Sequence, residues 1–254
     1  MSLSFVGLGL YDERDITLKG RDAIADADSV YVEFYTSILP AAPLEDLEEF
    51  HATDITQLSR DDVENQPEFL LDEAEDEDVV FLSGGDAMVS TTHADLRLRA
   101  LERGIETEVI HAPSIQTAVS GVTGLQNYRF GQSTTLPFPQ GDWKPESPYD
   151  VVVSNLERDL HTLVFLDIKV EGEDERFMKA SEGARLLSEL DDENEIGRLV
   201  GVARAGSDSP EVAFGTPDEV AESDLGSPLH VLIVPASLHD VERETLEYVS
   251  VSTD

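Results

Sequence analysis

Residues 3–35 read LSFVGLGLYDERDITLKGRDAIADADSVYVEFY. Leu3–Leu8 is an apolar run that closes in a Gly-Leu-Gly turn, which is typical of a buried strand followed by a tight loop. Thr17–Ala27 has the apolar spacing of a helix, and Val30–Tyr35 is rich in the β-branched and aromatic residues that strands favour. The stretch therefore predicts a strand, a helix and a second strand, which is the repeating unit of α/β folds.

The same alternation continues along the chain. Further strands are predicted at Val79–Ser83, Glu106–His111, Ser133–Phe138, His161–Lys169, Arg198–Ala205, Glu211–Phe214 and Leu229–Pro235, and further helices at Glu45–Phe50, Asp61–Glu75, Thr91–Arg103, Ser114–Val122, Asp150–Asp159, Arg176–Leu190 and Asp240–Val249. Because strands that alternate with helices favour parallel pairing, we expect an α/β protein with mainly parallel sheets. After Pro113 strands and helices alternate less regularly, so we expect two α/β subdomains, residues 1–112 and residues 113–254.

The charge balance is extreme. Asp and Glu number 54 against 17 Lys and Arg, a formal net charge of −37, and only four of the basic residues are lysine. A field of this sign repels phosphate backbones, so we expect no direct binding of nucleic acid. The acidic residues are spread along the chain, which favours adaptation to molar salt, where the Debye length falls to about 3 Å. An acidic surface that holds a basic partner is the alternative.

Several classes of protein are disfavoured by composition. The chain has no cysteine, which excludes disulfides, thiolate nucleophiles and cysteine-bound zinc. No apolar stretch approaches the roughly 18 residues of a membrane span, and the N-terminus lacks the basic region of a signal peptide. The histidines lack metal-ligand spacing, and there is no Gly-x-Ser-x-Gly elbow or P-loop. We therefore expect a cytoplasmic protein with no membrane span and no metal site.

Ligands of open α/β sheets bind outside the carboxyl ends of the strands, so segments that follow predicted strands are candidates for the site. They are Gly7–Asp12, Leu82–His93, His111–Ile115, and the pair Ala203–Ser207 with Leu229–Pro235. The first begins like a dinucleotide fingerprint, but Asp12 stands where the third glycine belongs, and its acidic neighbours repel a pyrophosphate. NAD or FAD binding is therefore disfavoured, and a glycine turn without a ligand is the alternative.

Single polar residues in these segments have two interpretations each. Asp86 follows two glycines and is placed to accept hydrogen bonds from a hydroxyl or an amine, or to cap the next helix. Ser114 is either a ligand contact or an ordinary N-cap. His93 and His230 are candidate ligands or bases, but a lone histidine in a helix or an apolar strand is more often structural.

Seven segments, in order along the whole chain, resemble the diphthine synthases, a family of the tetrapyrrole methylase-like methyltransferases. They are GLGLYDERDITLKG (7–20), EFYTS (33–37), GGDAMVSTTHADLRLRA (84–100), GLQNYRFG (124–131), SPYDVVVSNLERDLHTLVFLDIK (147–169), VARAGSD (202–208) and HVLIVPASLHDVERE (230–244). The GLGLYDERDIT and TGLQNYRFG segments are specific to this family rather than to the wider superfamily. The family usually has proline where this chain has Ala87, so a backbone restraint beside Asp86 is lost, and we expect a looser loop that still binds its ligand.

The resemblance implies a two-domain tetrapyrrole methylase-like fold, a homodimer, and S-adenosylmethionine bound in the cleft between the domains. It implies cofactor contacts at Leu10, Asp86, Val89, Ser114, Ile115, Leu166, Ala205 and His230. The implied reaction is methylation of the amine of a 3-amino-3-carboxypropyl-histidine in translation elongation factor 2, which gives diphthine in diphthamide biosynthesis. We nominate no catalytic acid or base, because the sulfonium leaving group needs no proton and an α-amino group titrates near 8.

The carboxylate of the substrate's aminocarboxypropyl group calls for a cation. Arg14, Arg129 and Arg204 are candidates, although each is equally well explained as a structural ion pair. Pro137–Pro148 holds four prolines and the only tryptophan, which predicts a loop or lid. Two alternatives to the implied activity stay open: a methyltransferase that acts on a tetrapyrrole precursor, and a non-catalytic adapter that only binds the elongation factor.

Overall fold

The computed structural model describes residues 1–141, 146–170 and 175–251. The chain divides into two compact units, the first formed by Met1–Ile115 with Val170–Glu175 and the second by Gln116–Lys169 with Arg176–Asp254. The sequence predicts the boundary between residues 112 and 113 and does not predict the second passage through the first unit. Residues 142–145 of the predicted lid, which include Trp143, lie outside the described residues, as does the end of the chain after Val251.

The first unit is a five-stranded sheet with helices on both faces. Its strands are β1 (Ser2–Gly7), β2 (Ser29–Glu33), β3 (Thr56–Leu58), β4 (Asp78–Ser83) and β5 (Glu106–Ile110), and its helices are α1 (Leu18–Asp26), α2 (Leu44–His51), α3 (Glu68–Asp76) and α4 (His93–Glu102). The strand order is β3-β2-β4-β1-β5, and every pairing is parallel. The predicted α/β class is confirmed, and the carboxyl ends of all five strands meet at one edge.

Alternation along the strands builds the two cores of this unit. Leu3, Phe5 and Phe81 point to the face covered by α3 and α4, whereas Val6 and Val80 point to the face covered by α1 and α2. A strand buried on both faces is continuously apolar, which is why β1 and β4 are recognisable from the sequence. The predicted helix over Asp61–Glu75 is interrupted, because a single π-helical turn at Asp61–Asn65 ends before Pro67 and α3 begins after it.

The second unit contains the rest of the elements. They are α5 (Ile115–Thr123), whose first residue belongs to the first unit, β6 (Thr134–Leu136), α6 (Ser147–Leu156), β7 (Thr162–Leu166), β8 (Ile168–Lys169), β9 (Arg176–Phe177), α7 (Ala180–Leu190), β10 (Leu199–Ala203), β11 (Glu211–Gly215), α8 (Pro217–Glu222), β12 (His230–Val234) and α9 (Asp240–Val249). The main sheet has the order β11-β10-β12-β7-β6, and β8 and β9 form a small hairpin.

The expectation of mainly parallel sheets is wrong for the second unit. Only the β6–β7 pair among the described strands of its main sheet is parallel, and β10–β11, β10–β12 and β12–β7 are antiparallel. The connection from Ala203 to Glu211 is too short for the crossover that a parallel pair needs, so β11 folds back beside β10. The predicted helix over Arg176–Leu190 is also shorter, because Arg176–Phe177 pairs with Ile168–Lys169 and the helix begins at Ala180.

Helix α7 packs closely on the main sheet of the second unit. Its inner face is Ala180, Gly183, Ala184 and Leu187, all buried. A methyl group added at Gly183 would lie 2.8 Å from both Leu166 Cδ2 and Leu232 Cδ1, so this glycine permits the close approach. The contact fixes the end of β7 against the helix. None of the described helices combines the length and the apolar composition that a membrane span requires.

Candidate functional site

The carboxyl edge of the first sheet gathers the loops that follow β1, β4 and β5. Gly9 and Gly85 exchange two backbone hydrogen bonds, 3.1 Å from Gly9 N to Gly85 O and 2.6 Å from Gly85 N to Gly9 O. A methyl group at Gly7 would lie 2.5 Å from Gly85 O and 2.8 Å from Ala112 Cβ. The three loops are therefore in contact at the edge where ligands of open parallel sheets bind.

Asp15 shapes the first of these loops. Its Oδ2 accepts hydrogen bonds from the backbone N–H of Leu10 at 3.0 Å and of Tyr11 at 2.8 Å, so the carboxylate closes the turn after β1. From the sequence, Asp15 was interpreted only as one of the acidic residues that disfavour a pyrophosphate. Its role in the turn could have been predicted from its residue type and position, since aspartate side chains commonly accept hydrogen bonds from nearby backbone in turns. The result is a fixed position for Leu10, the first of the predicted cofactor contacts.

Asp86 links the loop after β4 to the loop after β5. Its side chain is buried, Oδ1 accepts from the N–H of Met88 at 3.0 Å, and Oδ2 accepts from the N–H of Ala112 at 3.3 Å. His111 Nδ1 lies 2.8 Å from Oδ2 and donates to it, although the imidazole itself is largely exposed. Asp86 therefore joins the loops after β4 and β5 and does not cap the next helix, since α4 begins at His93 with Thr92 as its N-cap. His111 is a site residue that the sequence did not single out.

The remaining predicted contacts of the first unit lie on the same loops. The N–H of Val89 donates to the carbonyl of Asp86 at 3.1 Å, which folds the segment into a tight turn. Ser114 is buried and directly precedes Ile115, the first residue of α5. Leu10, Asp86, Val89 and Ser114 are thus on loops that leave one edge of the sheet, and Ile115 begins α5 directly after one of them.

The three predicted residues of the second unit are also neighbours. Leu166 ends β7, Ala205 follows the end of β10, and His230 begins β12. The register pairs Ala203 with His230 and Phe165 with Val231, so the end of β7, the start of β12 and the end of β10 lie side by side. Leu166 is therefore at a strand end rather than inside a strand, where the sequence interpretation had it.

The His230 ring is occupied by structural hydrogen bonds. The N–H of Ala180, at the start of α7, donates to Nδ1 at 3.1 Å, so Nδ1 carries the lone pair. Nε2 then carries the hydrogen and donates to the carbonyl of Ser227 at 3.0 Å. Burial lowers the pKa of His230, while the bond to Ser227 acts in the opposite direction. The imidazole is a neutral core group and not a free base.

The three candidate arginines differ in how they are used. Arg204 donates from Nη1 to the carbonyls of Leu225 at 2.6 Å and Ser227 at 2.7 Å, and its Nη2 pairs with Glu211 at 3.1 Å. These contacts hold the loop before β12 and have a structural role.

Arg129 is buried and likewise structural. Its Nη1 lies 2.8 Å from Glu242 Oε2 and 2.6 Å from the carbonyl of Ser237, and its Nη2 pairs with Asp159 at 3.0 Å. By contrast, the side chain of Arg14 is 70% exposed, and its Nη2 pairs with Asp12 at 2.7 Å. Hydrogen bonding to Arg14 lowers the pKa of Asp12.

Nothing in the described ranges suggests a metal centre: no group of three or more histidines and carboxylates there is arranged to hold a metal ion.

The comparisons with known proteins agree on one family. The model of the Tetrapyrrole (Corrin/Porphyrin) Methylases matches residues 2–221. The diphthine synthase of Methanocorpusculum labreanum is 53% identical over 247 residues, which cover 96% of this chain and 97% of that protein. The diphthine synthase of Haloarcula marismortui is 53% identical over 256 residues, with 98% of each chain covered.

The fold agrees with a solved structure. A crystal structure described as that of diphthine synthase superposes with a TM-score of 0.90 at 40% identity, covering 98% of this chain and 96% of the other. The matched stretch of the family model begins at the first strand and includes the loops after β1, β4, β5 and β10. The chain therefore belongs to the diphthine synthases, within the tetrapyrrole methylase family.

Proposed function

We propose that this chain is an S-adenosylmethionine-dependent N-methyltransferase that methylates the amine of the 3-amino-3-carboxypropyl-histidine of translation elongation factor 2, giving diphthine. The observation that supports it most strongly is the 53% identity to diphthine synthases over nearly the whole of both chains. The contacts at the edge of the first sheet support it as well, because Gly9 and Gly85 join two of the segments that carry the family resemblance, residues 7–20 and 84–100.

The residues present fit S-adenosylmethionine. A methyl group added at Gly85 would meet no atom within 4 Å, so the backbone there is open to a ligand, and the φ of +72° suits glycine. A buried carboxylate beside it, Asp86, suits hydroxyl and amine donors and a cationic ligand. We propose that the contacts are Leu10, Asp86, Val89, Ser114 and Ile115 in the first unit and Leu166, Ala205 and His230 in the second.

The chain's own contribution to the reaction is positioning. When bound, S-adenosylmethionine supplies an activated methyl group on a sulfonium, and its leaving group needs no proton. An α-amino group titrates near 8, so a useful fraction is neutral without a dedicated base. Holding the amine and the methyl group in line is then the main task of the side chains, and such positioning supplies several kcal/mol in well-oriented reactions. His230 is not needed as a base, which agrees with its engaged ring nitrogens.

We propose Arg14 as the cation for the carboxylate of the aminocarboxypropyl group. Arg129 is committed to buried structural contacts and Arg204 to partly buried ones, whereas the guanidinium of Arg14 is exposed on the loop that carries Leu10. Its pair with Asp12 is partly exposed, and such pairs contribute little stability. A substrate carboxylate would compete with Asp12 for this arginine.

The chain is proposed to act in the cytoplasm on a protein substrate. We expect no direct contact with nucleic acid, since a net charge of −37 repels phosphate.

We also propose a homodimer. Helix α9 leaves Val241 and Tyr248 exposed, and residues seven apart lie on one face of a helix. Light scattering in molar potassium chloride should give twice the mass of one chain, and the mass of a single chain would contradict the homodimer.

The activity is tested with labelled S-adenosylmethionine and an elongation factor that carries the aminocarboxypropyl-histidine, in molar potassium chloride. We expect label on that histidine, with the number of methyl groups given by mass spectrometry of the peptide. The control is the same factor without the aminocarboxypropyl group, which stays unlabelled. Transfer to a corrin or porphyrin precursor instead supports the tetrapyrrole alternative. Binding of the factor with no affinity for the cofactor supports the adapter and contradicts the proposal.

We further propose that the protein is halophilic. Relatives from Haloarcula marismortui and Halobacterium salinarum are 53% and 52% identical to it. Raising potassium chloride from 0.1 M to 1 M shortens the Debye length from about 10 Å to about 3 Å and screens the repulsion among the 54 acidic residues. We expect the melting temperature to rise by about 10 °C or more, which corresponds to roughly 3–5 kcal/mol for a chain of this size.

Calorimetry over a series of potassium chloride concentrations measures this effect. The matched control is sucrose at equal osmolality, which stabilises by exclusion from the surface and screens no charge. A melting temperature that rises equally in sucrose, or that does not rise in potassium chloride, contradicts the halophilic proposal.

A further inference from the structure

Glu33 is a buried carboxyl group that the proposed reaction does not use. It ends β2, within the EFYTS segment, and its side chain is fully buried. Glu33 Oε2 accepts from the N–H of Thr36 at 2.9 Å, and Oε1 accepts from the Thr36 hydroxyl. Burying a carboxyl group costs free energy unless its oxygens have hydrogen-bond partners, so the groups around Oε1 determine its protonation.

His93 is the second buried group, and it touches the loop that carries Asp86. It is the first residue of α4, and its Nδ1 lies 3.0 Å from the carbonyl oxygen of Ala87. A carbonyl only accepts, so Nδ1 carries a hydrogen and donates it. The ring also packs edge-on against Phe81 of β4, with centroids 4.9 Å apart. His93 therefore ties the start of α4 to the segment that holds Asp86 and Val89.

The other nitrogen of His93 faces Glu33. Nε2 lies 3.5 Å from Glu33 Oε1, both side chains are fully buried, and within the described ranges Nε2 has no hydrogen-bond partner. With the hydrogen on Nδ1, Nε2 of a neutral ring carries a lone pair, and a carboxylate oxygen opposite it is a second acceptor. Two acceptors that face each other at 3.5 Å between fully buried side chains repel, whereas one proton between them joins them.

We propose that Glu33 and His93 share one proton, and that this proton keeps His93 in place to hold the Ala87 carbonyl and, with it, Asp86 and Val89 in position for S-adenosylmethionine. Both are positioning residues, since neither is proposed to touch the cofactor. The inference rests on the proposed function only where it names the ligand; the shared proton itself stands on the contacts of Glu33 and His93.

The direction of the pH dependence follows from burial. Burial raises the pKa of Glu33 to about 7, while hydrogen bonds from Thr36 and the charge of Arg60 act in the opposite direction. Burial also lowers the pKa of His93, although its bond to Ala87 and the charge of Glu64 oppose this. The proton therefore resides on Glu33, donating to Nε2, and it is lost as the pH rises through about 7.

The charge of Arg60 acts on Glu33, and the charge of Glu64 acts on His93. Arg60 and Glu64, from the segment between β3 and α3, are paired with each other at 3.0 Å. Thr92, the residue before His93, donates from its hydroxyl to Glu64 at 2.9 Å. A variant that alters Glu33 alone leaves the Arg60–Glu64 and Thr92–Glu64 contacts in place.

The test is the dissociation constant for S-adenosylmethionine, measured by calorimetry in molar potassium chloride at about pH 6 and about pH 8.5. In the unmodified protein we expect it to rise on the order of 10-fold, because the fraction with the ordered loop falls as the proton leaves. In Glu33→Gln we expect a change below about 2-fold, because the amide donates to Nε2 at every pH and its carbonyl still accepts from Thr36. A purely structural role for Glu33 weakens binding equally at both pH values.

The ring nitrogens of His93 provide a readout that needs no cofactor. Nitrogen-15 spectra of the full-length protein should show Nδ1 protonated, and an Nε2 signal that titrates near pH 7 in the unmodified protein but not in Glu33→Gln. An Nε2 signal that does not titrate, or a dissociation constant for the unmodified protein that is independent of pH, overturns the inference. Absence of any cofactor binding, with Nε2 titrating as expected, overturns the proposed function and leaves the shared proton established.

Discussion

Replacing Glu242 by glutamine lowers the free energy of unfolding by about 3–5 kcal/mol, because it removes the buried counter-charge of a buried guanidinium. Glu242 lies in α9 with its side chain fully buried, and Oε2 is 2.8 Å from Arg129 Nη1. Its Oε1 accepts from the N–H of Gln126 at 2.9 Å and from His161 Nε2 at 3.2 Å. The amide has one acceptor oxygen in place of two, so at least one donor of this network is stranded.

The size of the effect depends on burial, and the structure offers a matched control. Asp159 pairs with the same arginine at 3.0 Å, but its side chain is 61% exposed. Asp159→Asn should therefore cost less than about 1 kcal/mol, and asparagine tolerates the positive φ of 57° at this position. Urea unfolding in molar potassium chloride measures both variants. Equal losses for the two would show that the charge, and not its burial, determines the effect.

The same network sets a pH dependence of stability. Burial alone raises the pKa of Glu242, but hydrogen bonds from the backbone of Gln126 and His239 and from His161 outweigh it and hold the pKa below its ordinary value. A group with a lowered pKa in the folded state contributes stability above its unfolded pKa and loses it as the pH falls. The contribution of Glu242 is therefore present at neutral pH and disappears in acid. The raised pKa of Glu33 gives the opposite pH dependence, because its contribution to stability is lost as the pH rises.

The elements with strong local signals were predictable from the sequence. Strands such as β1 and β4, buried on both faces, are apolar throughout, and the helices around Ile24 and Leu187 show amphipathic spacing. The short strand β3 was not predicted, because two of its three residues are exposed and it has no apolar run. The antiparallel pairing of β10 and β12 was not predictable either, since hydrophobic periodicity reports burial and not the direction of a partner.

Some features of the candidate site could likewise be predicted from the sequence and others could not. Glycine turns at strand ends located the loops of Gly9 and Gly85, because the glycine signal is local. What the polar residues do there depends on partners far along the chain: Ala180 bonds to His230 from 50 positions away, and Arg129 meets Glu242 across 113. No pattern in one sequence reports such contacts. From the sequence alone, the bonding of the His230 ring and of the Arg129 guanidinium therefore could not be predicted.

Replacing Gly7 by alanine should raise the dissociation constant for S-adenosylmethionine on the order of 10- to 100-fold, since overpacking of this kind costs about 1–3 kcal/mol. The added methyl group would lie 2.5 Å from the carbonyl oxygen of Gly85 and 3.1 Å from Asp86 Cα. Both are backbone atoms and cannot rotate away as the end of a side chain can. The strain is relieved only if the loops after β1 and β4 separate, and those loops carry Leu10 and Asp86.

Gly121 provides the matched control, because it lies on the exposed side of α5 and an added methyl group there meets no atom within 4 Å. Gly121→Ala should leave the dissociation constant unchanged and stabilise the protein by about 0.5–1 kcal/mol, as expected for alanine in a helix interior. Calorimetric titration and thermal unfolding in molar potassium chloride measure both quantities. If Gly7→Ala unfolds more easily but binds S-adenosylmethionine as before, the carboxyl edge of the first sheet is not part of the cofactor site.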